Sequence, residues 1–98
     1  MKSLEEIRAD LRFIREYYKL KRTMKRPFEV TDHGDYKSLI ACYDTLAKAA
    51  PKRQAQVYEG LYLQGKTQKA LAQEWEVTEK YIQILNKRLL LFLQSHWD

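Results

Sequence analysis

The chain has few residues that interrupt helices or cross-link the backbone: three glycines, two prolines and one cysteine in 98 residues. With so few turn-forming residues, long helices are favoured over a many-stranded β-sandwich. The single cysteine, Cys42, has no partner for an internal disulfide and excludes a metal site built on several cysteines. The sequence therefore predicts an all-α protein of a reducing compartment, which we expect to be the cytoplasm.

Long apolar runs are missing as well. No uninterrupted apolar stretch reaches the ~18–20 residues that a membrane-spanning helix needs. The opening residues, MKSLEE, become acidic at once and contain no apolar core, so we expect no signal peptide. These absences predict a soluble protein with no membrane partner.

Residue combinations that support catalysis are also absent from the sequence. We find no nucleophile with a nearby base, no paired acid and base, no phosphate-binding glycine loop and no metal-ligand spacing. Asp32, His33 and Asp35 lie close together, but three adjacent loop residues are more typical of turns and helix caps than of a metal site. We therefore expect no enzyme, no cofactor and no metal.

The composition is that of one globular domain, with 45 % apolar and 32 % charged residues. We divide it into an N-terminal helical part, residues 1–49, and a C-terminal part, residues 50–98. The net charge of +5 is uneven, because residues 1–26 hold nine Lys and Arg against four acids and residues 51–98 hold seven against five. This distribution suits a polyanionic partner, and it equally suits a solvated helix face.

The first helix is predicted over residues 4–25. Ser3 and Glu6 have the spacing of a capping box, and Pro27 ends the helix. Its apolar residues recur every three or four positions, at Leu4, Ile7, Leu11, Ile14 and Tyr18. This seam has two interpretations, an intramolecular partner for another helix or the seam of a homodimer.

Five basic residues crowd the end of this helix: Lys19, Lys21, Arg22, Lys25 and Arg26. Cations at a helix C-terminus complement the helix dipole and keep the end soluble. The same cluster is also suited to phosphate contacts, and the sequence leaves both interpretations open.

A second helix is predicted with Asp35 as its cap and an end at residues 49–50. Its apolar face comprises Tyr36, Leu39, Ile40, Tyr43, Leu46 and Ala47. Cys42 lies among these residues, and we expect its small side chain to be buried or half-buried.

The C-terminal half predicts three further helices. Pro51 is expected to be the first residue of one, which Gly65 ends in a left-handed conformation. Thr67 and Thr78 are predicted to cap a short helix and then a last one. In the last helix Ile82, Leu85, Leu89 and Phe92 recur every three or four positions, and we expect the first three to face inward. Two short-linked helices with a small alanine at their crossing are typical of a helix-turn-helix.

Residues 50–93 resemble the fourth region of bacterial sigma factors and the small sigma-like regulators of Gram-positive phages and mobile elements. The matching motifs are Ala50-Pro51-Lys52-Arg53, the pairs Val57-Tyr58 and Leu61-Tyr62, Gly65-Lys66-Thr67, Ala70-Leu71-Ala72 and Val77-Thr78, followed by Ile82, Leu85 and Leu89. Two positions depart from the pattern, since Glu76 stands where the family usually has glycine and Ala70 replaces its usual glutamate. The N-terminal half is more loosely similar to phage late-gene and autolysin regulators.

The resemblance implies that the last helix reads DNA with Glu79, Lys80 and Gln83, while Lys87 lies nearer the phosphates. Side-chain chemistry agrees, because Gln suits adenine, Lys guanine and Glu the amine of cytosine. We expect Asn86 to face outward too, and Ile84 either to touch a thymine methyl or to pack on the first helix. The predicted DNA contacts are Lys66, Thr67, Thr78, Glu79, Lys80, Gln83, Lys87 and Arg88, the two threonines acting through backbone amides at helix N-termini.

These observations favour a sequence-specific DNA-binding transcriptional regulator of phage or mobile-element type. The alternative is a non-enzymatic interaction module of helix-turn-helix shape that binds RNA polymerase or another host protein. Residues 89–93, which are apolar all round the helix, must be covered on more than one side. We therefore expect four or five helices, the first packed along the last, and a homodimer.

Overall fold

A computed structural model describes residues 2–23 and 34–97, and within these residues the chain is all-helical with no strand. Its five α-helices are α1 (Leu4–Thr23), α2 (Gly34–Ala49), α3 (Lys52–Tyr58), α4 (Gln68–Trp75) and α5 (Glu79–His96). A π-helical turn, Glu59–Leu63, extends α3. The predicted fold class is confirmed. None of the described helices is both long and apolar enough to cross a membrane.

The helix starts largely follow the predicted caps. The Ser3 hydroxyl accepts from the Glu6 amide at 3.1 Å while the Glu6 carboxylate accepts from the Ser3 amide at 3.2 Å, which completes the capping box. Pro51 lies one position earlier than predicted, because its extended ψ of 145° places it at the N-cap of α3. Asp35 is inside α2, which already begins at Gly34.

The hydrophobic core is one cluster to which all five helices contribute. The α1 seam lies inside it, since Ile7, Leu11 and Ile14 are at most 1 % exposed. Helix α1 packs against both the π-helical turn and α5, as predicted for the first and last helices. Of the two interpretations of the seam, the structure supports the intramolecular one.

The apolar run near the end of α5 is covered on most of its circumference. Leu89, Leu90 and Leu93 are buried and Phe92 is half-buried. Leu91 is 45 % exposed, so the expected cover does not reach this position. Helical geometry explains the difference, because Leu91 points roughly opposite to Leu89 and Leu93, which face the core.

Helix α2 presents Ile40, Tyr43 and Ala47 to the core. Cys42 is exposed rather than buried, because it lies one position before Tyr43 and its side chain points about 100° away from that residue. Several predicted features lie outside the described residues: Lys25, Arg26, Pro27, Asp32 and His33, and the side chains of Asp35 and Tyr36.

Two carboxylates connect helices through tyrosine hydroxyls: Asp44 joins α1, α2 and α3, and Asp10 joins α1 and α2. Asp44 accepts from Tyr18 at 3.1 Å and from Tyr58 at 2.5 Å. Asp10 accepts from Tyr43 at 2.6 Å and forms an ion pair with Lys2 at 2.7 Å. Burial and the neighbouring Asp44 carboxylate raise the pKa of Tyr18 to about 12. The pKa of Tyr58 and of Tyr43 is raised in the same way, first by burial and then by the hydrogen-bonded carboxylate.

Candidate nucleic-acid interface

Helices α4 and α5 contact each other and are joined by only three residues, 76–78. The short connection requires a left-handed residue, and Glu76 adopts it with φ 56° and ψ 43°. Its amide donates to the carbonyls of Ala72 and Gln73 at the end of α4, which closes the turn.

Helix α4 is held against the π-helical turn by a close approach. A Cβ atom on Gly60 would lie 2.9 Å from Cδ1 of Leu71, which is itself 1 % exposed. The sequence predicted a small alanine at the helix crossing without deciding which one; Ala72 is buried there, whereas Ala70 is exposed. Glycine and alanine together therefore allow α4 to pack closely, and this packing fixes where α5 begins.

The inner face of α5 is anchored in the core by Ile82, Leu85 and Leu89, each at most 4 % exposed. Because the helix is anchored on this face, its opposite face is fixed towards solvent. The predicted contacts Glu79, Lys80, Gln83, Lys87 and Arg88 are all exposed. The structure thus brings five of the eight predicted residues onto one helix.

Asn86 does not belong to this exposed face. It is half-buried, and its side-chain oxygen accepts a hydrogen bond from the Tyr62 hydroxyl at 2.6 Å. Burial raises the pKa of Tyr62, which keeps the hydroxyl protonated as the donor. The outward placement predicted for Asn86 is wrong, because a tyrosine 24 residues away supplies it with a partner.

Both predicted threonine caps are present at the starts of α4 and α5. The Thr67 hydroxyl accepts from the Ala70 amide at 3.0 Å, and the Thr78 hydroxyl accepts from the Tyr81 amide at 3.1 Å. The amides of the first two residues of each helix have no partner within the helix. Since both threonines are exposed, these amides are available to an anion from solvent.

The cations around the starts of α4 and α5 differ in whether they are already paired with a carboxylate. Lys66 is half-buried and paired with the Glu74 carboxylate, with Nζ–O distances of 2.7 and 2.9 Å. No ion pair among the described residues involves Lys80, Lys87 or Arg88. Lys69, in the first turn of α4, is a further exposed cation. The sequence did not lead us to predict it as a contact, although it follows the capping Thr67 by two positions.

No protein-family model, curated protein or solved structure matches this chain.

The basic residues at the end of α1 are partly engaged inside the fold. The Arg22 guanidinium donates to the carbonyl of Leu63, and that of Arg15 donates to the carbonyl of Gly65 at 3.3 Å. These contacts satisfy carbonyls left open where the π-helical turn ends. Lys19 is exposed, so of the described cations it is better placed than Arg22 for a phosphate contact.

A groove of about 590 Å³ between α2 and α3 offers a second concave surface. Its charged lining is mixed in sign, with Asp44 and Glu59 beside Lys48 and Lys52. The Asp44 carboxylate is already occupied by two tyrosine hydroxyls. The exposed face of α5, by contrast, carries charge of predominantly one sign, which makes it the better candidate site.

Proposed function

We propose that the chain is a sequence-specific DNA-binding transcriptional regulator in which α4, the turn and α5 act as a sigma-like helix-turn-helix. The observation that carries the proposal is the division of α5 into two faces. One face is anchored in the core, and the other presents Lys80, Gln83, Lys87 and Arg88 to solvent. A helix fixed in this way fits the major groove, which admits one α-helix.

Within this proposal the residues divide by distance from the start of α5. Glu79, Lys80 and Gln83 lie in its first two turns, where recognition helices contact base edges. Lys87 and Arg88 follow one turn later and contact phosphates, together with the amides behind Thr67 and Thr78. Lys66 contributes less than predicted, because Glu74 already neutralises it.

Selection of bound sequences from a random duplex library tests the proposal. We expect one enriched motif for the wild-type chain. A variant with both Lys80→Ala and Gln83→Ala is expected to lose or change that motif, since it removes two base-reading groups. Lys48→Ala, an exposed cation on α2, is the matched control and keeps the motif.

Absence of any enriched motif would contradict the proposal. If the chain instead co-purified in defined stoichiometry with RNA polymerase or another host protein and bound no duplex, the interaction-module alternative would replace it.

The homodimer expected from the sequence remains part of this proposal, because paired recognition helices reach two half-sites about one helical turn apart. Its interface lies outside the α1 seam, which the chain covers itself. Sedimentation of the free chain at tens of micromolar checks the expectation. A monomer would mean that each chain binds its site alone.

A further inference from the structure

Exposed apolar side chains are concentrated on α5. The large hydrophobic residues that are exposed in the described part of the chain are Leu20, Tyr81, Ile84 and Leu91. Three of these four lie on the same helix, with Ile84 41 % and Leu91 45 % exposed. Single exposed apolar residues are common on protein surfaces, so their position relative to the charged residues decides what they indicate.

Ile84 lies in the middle of the basic face of α5. At 3.6 residues per turn, one arc of about 100° around the helix contains Lys80, Ile84, Lys87, Arg88 and Leu91. No acidic residue occurs between Glu79 and Asp98, so this arc carries three cations and no carboxylate. This pattern is complementary to an anionic surface that also offers an apolar group between its charges.

The major groove of DNA has this combination, because two phosphate backbones flank base edges on which each thymine displays a 5-methyl group. Ile84 follows Gln83 directly and lies one turn from both Lys80 and Lys87, within the part of α5 to which the proposed function assigns base contacts. The β-branched side chain of Ile84 is restricted to few rotamers in a helix, so it loses little conformational entropy when it contacts a base. Leu91 is about 10 Å further along the helix axis, which in the proposed binding mode places it beyond the base edges.

We propose that Ile84 reads the 5-methyl group of one thymine, so that the recognition site contains a thymine whose methyl group contributes to affinity. This inference rests on the proposed DNA-binding function. It adds a specificity-determining residue that acts through apolar contact rather than through hydrogen bonds.

Replacement of thymine by uracil tests the inference, since uracil keeps the base pair and lacks only the methyl group. Each thymine of the selected duplex is replaced in turn, and binding is measured by fluorescence anisotropy. At one position we expect the wild-type chain to lose affinity about fourfold, the loss that corresponds to one buried methyl-sized group. Ile84→Ala is expected to bind the thymine duplex more weakly and to show no further loss with uracil at that position.

Leu91→Ala is the matched control, because it removes a similarly exposed apolar side chain from the same face of the same helix. It is expected to keep the wild-type response to uracil. Circular dichroism of both variants confirms that they are folded, as expected for substitutions at exposed positions.

Two results would overturn the inference while leaving the proposed function intact: specific binding that is insensitive to uracil at every position, or an Ile84→Ala variant that still responds to uracil. If Ile84→Ala weakened all duplexes equally and also dissociated a dimer, Ile84 would belong to a protein interface instead. If the wild-type chain bound no preferred duplex, the proposed function would fail and the inference with it.

Discussion

Glu76 holds a backbone conformation that non-glycine residues rarely adopt. Its φ of 56° lies in the left-handed region, where a Cβ atom costs roughly 1–2 kcal/mol. The structure nevertheless forms the turn, since the amide of Glu76 bonds carbonyls of α4 and both flanking helices are anchored in the core. The glutamate at this position thus carries local strain within a closed left-handed turn.

Glu76→Gly should remove this strain and raise the free energy of unfolding by about 0.5–1 kcal/mol, after the larger entropy loss of glycine is subtracted. Urea-induced unfolding measures the change. Gln73→Gly, at an exposed position inside α4, should instead lower the free energy of unfolding by about 1 kcal/mol. A loss of stability in Glu76→Gly would show that the glutamate side chain itself stabilises the turn.

Gln83 and Lys87 are one turn apart on the exposed face of α5, and we expect different consequences from their loss. Gln83→Ala should lose roughly 1–3 kcal/mol of binding free energy on the preferred duplex and relax the preference at one base pair. Lys87→Ala should weaken binding to all duplexes alike and reduce the salt dependence by about one ion. Competition titrations at several salt concentrations separate the two effects. Equal behaviour of both variants would contradict the division into base-reading and phosphate-contacting residues.

At the scale of elements, residue periodicity predicted which face of a helix is buried, but not which single residues depart from that pattern. The α1 seam, the caps at Thr67 and Thr78 and the inner face of α5 follow from spacing and local hydrogen bonding, which a sequence displays directly. Asn86 and Lys66 could not be placed in this way, because their partners lie in other segments: Tyr62 in the π-helical turn and Glu74 in α4. Tertiary contacts likewise decide which cations are free and which are already hydrogen-bonded. The Arg22 guanidinium, which donates to the Leu63 carbonyl, is an example.

Helix α5 offers a test of which leucines hold it in place. Leu89 is fully buried in the core, so Leu89→Ala should lower the free energy of unfolding by about 2–5 kcal/mol. Leu91→Ala, two residues away and 45 % exposed, should change it by no more than about 0.5 kcal/mol. Chemical unfolding of the two variants makes the comparison. Similar costs for both substitutions would mean that α5 is oriented differently.

At the scale of the whole molecule, tyrosine–carboxylate pairs link α1 to α2, and one of them, Tyr58–Asp44, links α2 to the C-terminal half. Tyr18 and Tyr58 share Asp44, so α1, α2 and α3 meet at one carboxylate. These hydroxyls must stay protonated to donate. The stability of the fold therefore depends on pH in the alkaline range, where these hydroxyls lose their protons. The exposed cations of the candidate interface take no part in these pairs.

The pKa of Tyr18 rises from 10.0 to about 12 in the folded chain. Between these values the unfolded chain releases the proton while the folded chain keeps it, so the free energy of unfolding should fall as the pH rises through this window. Tyr58 and Tyr43 add to the fall in the same direction. Tyr18→Phe should make the fall shallower without abolishing it, because Tyr58 and Tyr43 still contribute. Urea titrations from neutral pH to about pH 12 provide the profile, and an unchanged profile in Tyr18→Phe would contradict the bond to Asp44.

The central claim is that the exposed face of α5 reads DNA sequence. Fluorescence anisotropy of the wild-type chain with the selected duplex and with a scrambled duplex, at two salt concentrations, tests it most directly. We expect the selected duplex to bind more tightly on the order of a thousandfold, and both affinities to fall steeply with added salt. Equal and weak binding of the two duplexes, unaffected by Gln83→Ala and Lys87→Ala, would contradict the claim.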